Sequence, residues 1–269
     1  ADLAPGYNPL KFKAPKAGSY QLPIIGQAAD GNVLTTENNP KALQQLMGDK
    51  IVLLSFIYST CSDINGCPLA TAVFHKINRR LQKEPELAKQ LRLLTLSFNP
   101  QHDTSEAMSR YGQGFKSDAI DWQFLTTQSE KQLQPILDSY QQSIQKIYDE
   151  QGKFTGTFSH ILRVYLIDTE KQIRNIYSVS FLHADTLIND VKTLLNQKRK
   201  PTKSSHNEQQ ALFTAGDNKQ GYQDKHYQTQ AIALLQRQGK AVNLIANIQQ
   251  PPLGLPDTPV PANNPISAS

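Results

Sequence analysis

Cys61 and Cys67 are the only cysteines in the chain, and five residues separate them in Cys61-Ser-Asp-Ile-Asn-Gly-Cys67-Pro68. The run before them, Ile51-Val-Leu-Leu-Ser-Phe-Ile-Tyr58, reads as a strand buried on both faces. Pro68 and the apolar-periodic stretch after it read as the first turns of a helix. Both thiols therefore fall on a strand-loop-helix connection, a place suited to sulfur chemistry. A helix N-terminus favours thiolate over thiol, and thiolate is the form that binds soft metals or exchanges disulfides. Spacing alone leaves a plain structural disulfide equally open.

The elements that must position this loop follow from periodicity. Tyr20–Ile25 and Asn32–Thr36 flank Asp30-Gly31, which predicts a hairpin, and 41–47 predicts a short helix. Leu69, Val73, Ile77 and Leu81 recur at helical spacing. Leu91–Phe98 predicts a second buried strand, 105–115 a helix capped by Thr104, and 122–125 a third strand. A helix over 130–140 contains Pro135, a kinking residue. Strands at 158–167 and 172–178 and an amphipathic helix at 184–195 complete the pattern. This alternation predicts an α/β layer fold with a central mixed sheet and an N-terminal β-hairpin.

Composition divides the chain into an extended, proline-bearing lead-in over 1–17, an α/β domain over 18–197, and a remainder over 198–269. That remainder combines a polar linker, short helices and a proline-rich tail. The formal net charge is +5, with one tight basic cluster at Lys198-Arg-Lys200. That excludes nucleic acid as an expected partner. No apolar stretch approaches membrane-spanning length. The start at Ala1, without a methionine or a signal-like apolar run, reads as a processed or engineered form.

The segment Phe56-Ile-Tyr-Ser-Thr-Cys61-Ser-Asp63-Ile-Asn-Gly-Cys67-Pro68 resembles the copper-site loop of the Sco/SenC family, the copper proteins of cytochrome c oxidase assembly. Three further stretches agree. Ser97-Phe-Asn-Pro100-Gln-His-Asp103-Thr104 is similar to the family's Asp-Pro-x-x-Asp-Thr segment, Trp122-Gln-Phe-Leu125-Thr to the strand after it, and Phe158-Ser-His160 with Tyr165-Leu-Ile-Asp168 to the stretch bearing its copper-binding histidine. The resemblance covers about residues 18–197. It implies a thioredoxin-like fold, copper as the bound metal, Cys61, Cys67 and His160 as its ligands, and no catalytic residue. Two thiolates and one imidazole make a soft site suited to Cu(I). The implied role is a metallochaperone, periplasmic or exported, with membrane association only through an anchor removed on processing. The implied recipient is the copper-site subunit of cytochrome c oxidase. In two places the chain departs from the pattern. Five residues separate the cysteines where the family has three, the extra length falling around Ile64-Asn65-Gly66, a turn-forming stretch. Asn99 stands where the family usually has aspartate, which removes a charge near the site.

Other candidates carry weaker expectations. Asp63 reads as a loop or capping carboxylate, His75 as a surface residue, His102 as a loop residue facing the site, and His183, His206 and His226 as solvated. Phe56 and Tyr58 read as core. The tail Pro251–Pro265 resembles the opening of bacterial dihaem cytochrome c peroxidases, although the chain has no Cys-x-x-Cys-His to attach a c-type haem. A haem peroxidase is accordingly a second expected partner. Three functions stay open: a copper metallochaperone, a metal-free thiol-disulfide oxidoreductase attacking through Cys61, and a docking module of a haem peroxidase.

Overall fold

The computed structural model describes residues 2–115 and 117–199. In chain order the strands are β1 (Gly26–Gln27), β2 (Asn32–Leu34), β3 (Pro40–Ala42), β4 (Ile51–Ile57), β5 (Leu91–Ser97), β6 (Asp121–Leu125), β7 (Ile144–Tyr148), β8 (Phe154–His160), β9 (Val164–Ile167) and β10 (Gln172–Tyr177). The helices are α1 (Leu43–Met47), α2 (Cys67–Leu81), α3 (Pro85–Ala88), α4 (Ser105–Gln113), α5 (Glu130–Ser139) and α6 (Ala184–Arg199), and a 3-10 turn covers Pro5–Tyr7.

Six strands form the central mixed sheet in the order β1-β10-β9-β4-β5-β6. β4 lies at its middle, parallel to β5 and antiparallel to β9. With neighbours on both edges and helices over the faces, all seven of its residues are buried, which is why the run carries almost no polar side chain. Its one hydroxyl, Ser55, meets Thr95 Oγ1 at 3.2 Å across the ladder, and Trp122 Nε1 donates to the same Thr95 oxygen at 3.0 Å. The buried polar atoms are thus paired inside the sheet. Parallel strands need crossover helices; α2 with α3 joins β4 to β5, and α4 joins β5 to β6. The result is the expected thioredoxin-like layer fold.

Local signals placed most of these elements. Thr104 caps α4, its side chain accepting from Ala107 N, and Ser129 caps α5, which runs on through Pro135. The hairpin differs in its arms: β2 pairs with β3, not with residues 20–25. Pro23 interrupts that segment, which instead runs beside β10, with Ile25 N donating to Ile173 O at 2.8 Å. Asp30 serves α1 rather than a hairpin turn, its Oδ1 accepting from Gln44 N at 2.9 Å.

The strand expected over 158–167 is two strands in two sheets. β8 pairs with β7, an unanticipated half-exposed strand, and β9 returns to β4. Between them Ile161 O accepts from Gln142 Nε2 at 2.6 Å, and Arg163 Nη1 donates to Gln141 O at 2.6 Å. Polar Ser159, His160 and Arg163 break the apolar run, so β8 stands largely outside the core while β9 is buried throughout. The last helix extends to Arg199. Of the linker, short helices and proline-rich tail expected over 198–269, residues 198 and 199 belong to this helix, and the rest, with His206, His226 and the peroxidase-like segment, lie outside the described residues.

Candidate metal centre

The cysteine loop leaves the C-terminal end of β4 and turns back within a few residues. Cys61 N donates to Tyr58 O at 3.2 Å. The Asp63 carboxylate accepts from Asn65 N at 3.1 Å and the Asp63 carbonyl from Gly66 N at 2.9 Å, folding the Ile64-Asn65-Gly66 stretch into a tight turn. α2 starts at Cys67 itself, with Pro68 in its first turn. Cys67 is buried and its Sγ accepts from Tyr58 N at 3.4 Å; Cys61 is half-buried, and both thiols are free. His160, the last residue of β8, brings its Nε2 to 3.4 Å from Cys67 Sγ. The two sulfurs and the imidazole nitrogen all lie within 4.8 Å of one another. The remaining ring nitrogen, Nδ1, is 3.4 Å from Phe158 O, an orientation that leaves Nε2 facing the sulfurs.

The SCO1/SenC family profile matches residues 32–196, most of the described chain. The chain belongs to the SCO1/SenC family. No curated protein sequence is significantly similar to it. Among solved structures it is similar to the copper-bound ScoI of Arabidopsis thaliana, at 18% identity and a TM-score of 0.54, spanning 64% of this chain and 99% of that one. It is also similar to a SCO1/SenC family lipoprotein of Bacillus anthracis, at 22% identity and a TM-score of 0.54, spanning 64% of this chain and 97% of that one. A third is BsSco, a member of the Sco family of cytochrome c oxidase assembly proteins in which a disulfide switch was identified. There the identity is 20% and the TM-score 0.52, over 67% of this chain and 99% of that one. At these identities the likeness establishes the fold.

In this SCO1/SenC chain the two thiols are electrostatically unlike. Cys61 is lowered to about 5, first because the Cys67 thiol donates a hydrogen bond to its sulfur, with backbone N–H groups of Cys67 and Asp63 and the Tyr58 hydroxyl adding to that. Cys67 is pushed well up, because its proton is held in that bond and because burial beside one thiolate disfavours a second. Tyr58 is raised to about 12 by burial and by donating to Cys61. The surroundings thus favour ionisation at half-buried Cys61 and oppose it at buried Cys67.

Aromatic rings hold the imidazole. Tyr58 lies 5.7 Å from the His160 ring centroid and Phe98 5.2 Å, and Phe158 packs against both. The expectation that Phe56 and Tyr58 are both core is correct for burial. Phe56 packs into the interior against Tyr140 and Tyr165, whereas Tyr58 also forms a wall of the site.

Asp103 is the residue that sequence reasoning passed over. It is completely buried in the β5–α4 loop. Its Oδ2 accepts from Ser59 N at 2.9 Å and from Ser97 Oγ, its Oδ1 accepts from Ser59 Oγ, and His102 Nδ1 lies 2.8 Å from Oδ1. Ser59 is two residues before Cys61, so this carboxylate ties the root of the cysteine loop to the end of β5. The signal is the Asp103-Thr104 pair of the segment that resembles the family's Asp-Pro-x-x-Asp-Thr, to which the sequence alone assigns no anchoring role. Asn99 is buried and serves through its backbone, N–H to Ser97 Oγ at 3.0 Å and carbonyl from Asp103 N at 2.8 Å.

The other histidines divide. His102 is exposed, as a loop residue should be. His183 is buried rather than solvated, with Nε2 bonded to Asn8 O at 2.8 Å and Nδ1 accepting from Asp185 N at 3.1 Å. His75 is half-buried against Phe115, 5.6 Å between ring centroids, instead of lying on the open surface. The lead-in covers His183 through Asn8, and Phe115 covers His75.

Proposed function

We propose that the protein binds one copper ion between Cys61 Sγ, Cys67 Sγ and His160 Nε2, holds it as Cu(I), and passes it to a respiratory or redox enzyme. The convergence of these three atoms within 4.8 Å carries the reading. The donor set fits the cargo, since two sulfurs and one imidazole favour a soft monovalent ion over Mg²⁺ or Ca²⁺. Copper loaded here is a soft cation that can exchange its thiolate ligands. Cys61 is the entry point, half-exposed and already ionised. Cys67 gives up its proton as the second sulfur engages. His160 is pre-oriented by the Phe158 carbonyl and packed among rings, so its imidazole need not be ordered on binding. The copper-bound state of Arabidopsis thaliana ScoI supports the assignment.

The recipient we favour is the copper-site subunit of cytochrome c oxidase, supported by the assembly role named for BsSco. A periplasmic or exported location is supported by the likeness to a SCO1/SenC family lipoprotein of Bacillus anthracis. Among the described residues no helix is long and apolar enough to cross a membrane. A haem peroxidase as partner rests on the tail alone.

The test is a Cu(I) titration of the reduced protein against a competing chelator. It should show about one copper per chain, lost in Cys61→Ser and Cys67→Ser and weakened in His160→Ala. Unaltered binding in all three variants overturns the site.

The lowered Cys61 value favours a second reading on the same sulfurs. The Cys61 thiolate attacks a partner disulfide and expels one partner sulfur as thiolate. Cys67, on losing its proton, attacks Cys61 and releases the other, leaving a Cys61–Cys67 disulfide and a reduced partner. His160→Ala separates the two, because it weakens copper binding and leaves thiol exchange intact.

A further inference from the structure

We propose that residues 2–7 are a strap that holds the cysteine loop in its ligand-converging shape, with Asn65 and Tyr7 as the positioning residues. The inference rests on the metal-site reading and adds to it a segment that precedes the site by more than fifty residues.

The strap and the loop meet through side chains that have no other described task. Asn65 Oδ1 accepts from Ala4 N at 2.8 Å, and Asn65 Nδ2 donates to Asp2 O at 2.9 Å. One amide thus pairs with both a donor and an acceptor of the passing backbone. The Tyr7 hydroxyl donates to Ile64 O. Among the described residues, the loop tip formed by Ile64 and Asn65 is hydrogen-bonded beyond the loop only through residues 2–7. The strap itself is fixed to the domain. Lys76 Nζ on α2 donates to Gly6 O at 2.7 Å and to Tyr7 O at 2.9 Å, and Ala4 and Gly6 are buried. Gly6 sits so close to the wall that a Cβ there would lie 2.3 Å from Leu182 O and 3.0 Å from side-chain atoms of Leu69 and Val73. Leu69 is in the first turn of α2, two residues after Cys67.

A five-residue loop has more conformations than its ends require, and a turn at Asn65-Gly66 admits several. The strap selects one. It holds the loop tip while Asp103 holds the root, so Cys61 is presented to Cys67 and His160, and Cys67 stays covered. An N-terminal segment thereby becomes part of the site without supplying a ligand.

Gly6→Ala tests this from outside the loop, because the new methyl group collides with a backbone oxygen and dislodges the strap without touching Asn65 or either sulfur. Asn65→Ala with Tyr7→Phe tests it from the loop side and adds no bulk, so the proposal stays testable if Gly6→Ala fails to fold. The readout is the alkylation rate of Cys67 by iodoacetamide in the reduced, metal-free full chain, resolved by peptide mass. Loss of two to three hydrogen bonds should raise that rate about ten-fold, while the thermal midpoint and the amide-exchange protection of β4 and β5 stay close to wild type. Asn65→Asp keeps the acceptor for Ala4 and loses the donor to Asp2, so it should fall between. Cu(I) affinity should drop in the same order. If Cys67 in the dislodged variants reacts at the wild-type rate, the strap proposal is overturned. If the wild-type protein binds no Cu(I), the metal reading fails, and the alkylation series still decides whether the strap orders the loop.

Discussion

Replacing Asp103 separates a hydrogen-bonding role from a charge role at the root of the cysteine loop. The carboxylate has no exposed surface and takes hydrogen bonds from Ser59 N, Ser59 Oγ and Ser97 Oγ, with His102 Nδ1 alongside. In Asp103→Ala, His102 and the Ser59 hydroxyl can turn to water because both are on the accessible side. Ser97 Oγ and Ser59 N cannot do so without moving the loop. Two stranded donors at 1–3 kcal/mol each, partly offset by relief of burying a charge, give a loss of about 3 kcal/mol. Asp103→Asn keeps one carbonyl oxygen for Ser59 N and Ser97 Oγ, and its NH₂ can donate to the Ser59 hydroxyl or to a neutral His102. That variant should lose only about 1 kcal/mol. Urea unfolding of the reduced, metal-free protein reads both, followed by the fluorescence of Trp122, the single tryptophan, which is buried beside Phe74 and Phe115. A loss under about 1 kcal/mol for Asp103→Ala would refute the anchoring role. Equal losses for the alanine and asparagine variants would show that the charge, not the bonding geometry, is what the loop requires.

Two further outcomes follow from the unequal thiols. Cys61 ionises far below an ordinary thiol, so its alkylation rate in the folded protein should hold steady from pH 8 down to about 6 and fall as pH drops through about 5. The urea-unfolded chain should show its midpoint near the ordinary value of about 8.5, and a similar midpoint in the folded protein would refute the thiolate assignment. Since Cys61 has already lost its proton at neutral pH and Cys67 has not, loading Cu(I) should release about one proton per copper. Calorimetry in buffers of different ionisation enthalpy measures this, and release of two protons would mean that both sulfurs start as thiols.

Much of the site was legible locally. The buried run over 51–57, the helix opening at Cys67-Pro68, the Thr104 cap and the Ser159-His160 context all depend on neighbours within a few residues, which periodicity and capping chemistry report directly. What the chain order could not supply is which distant surfaces meet. His160 stands 93 residues beyond Cys67, and only the departure of β8 from the central sheet, before β9 returns to β4, carries the imidazole over the loop. Reading 158–167 as one strand hides that break, because the apolar residues on either side of Arg163 report burial and not which sheet they join. Unequal burial and the hydrogen bond between them push the two thiols in opposite directions, a difference absent from their spacing. Asp103, His183 and Asn65 took their roles from partners 44, 175 and 61 positions away. Polar side chains on loops look alike in sequence, and only the packed structure decides which of them lose water and must find partners within the chain.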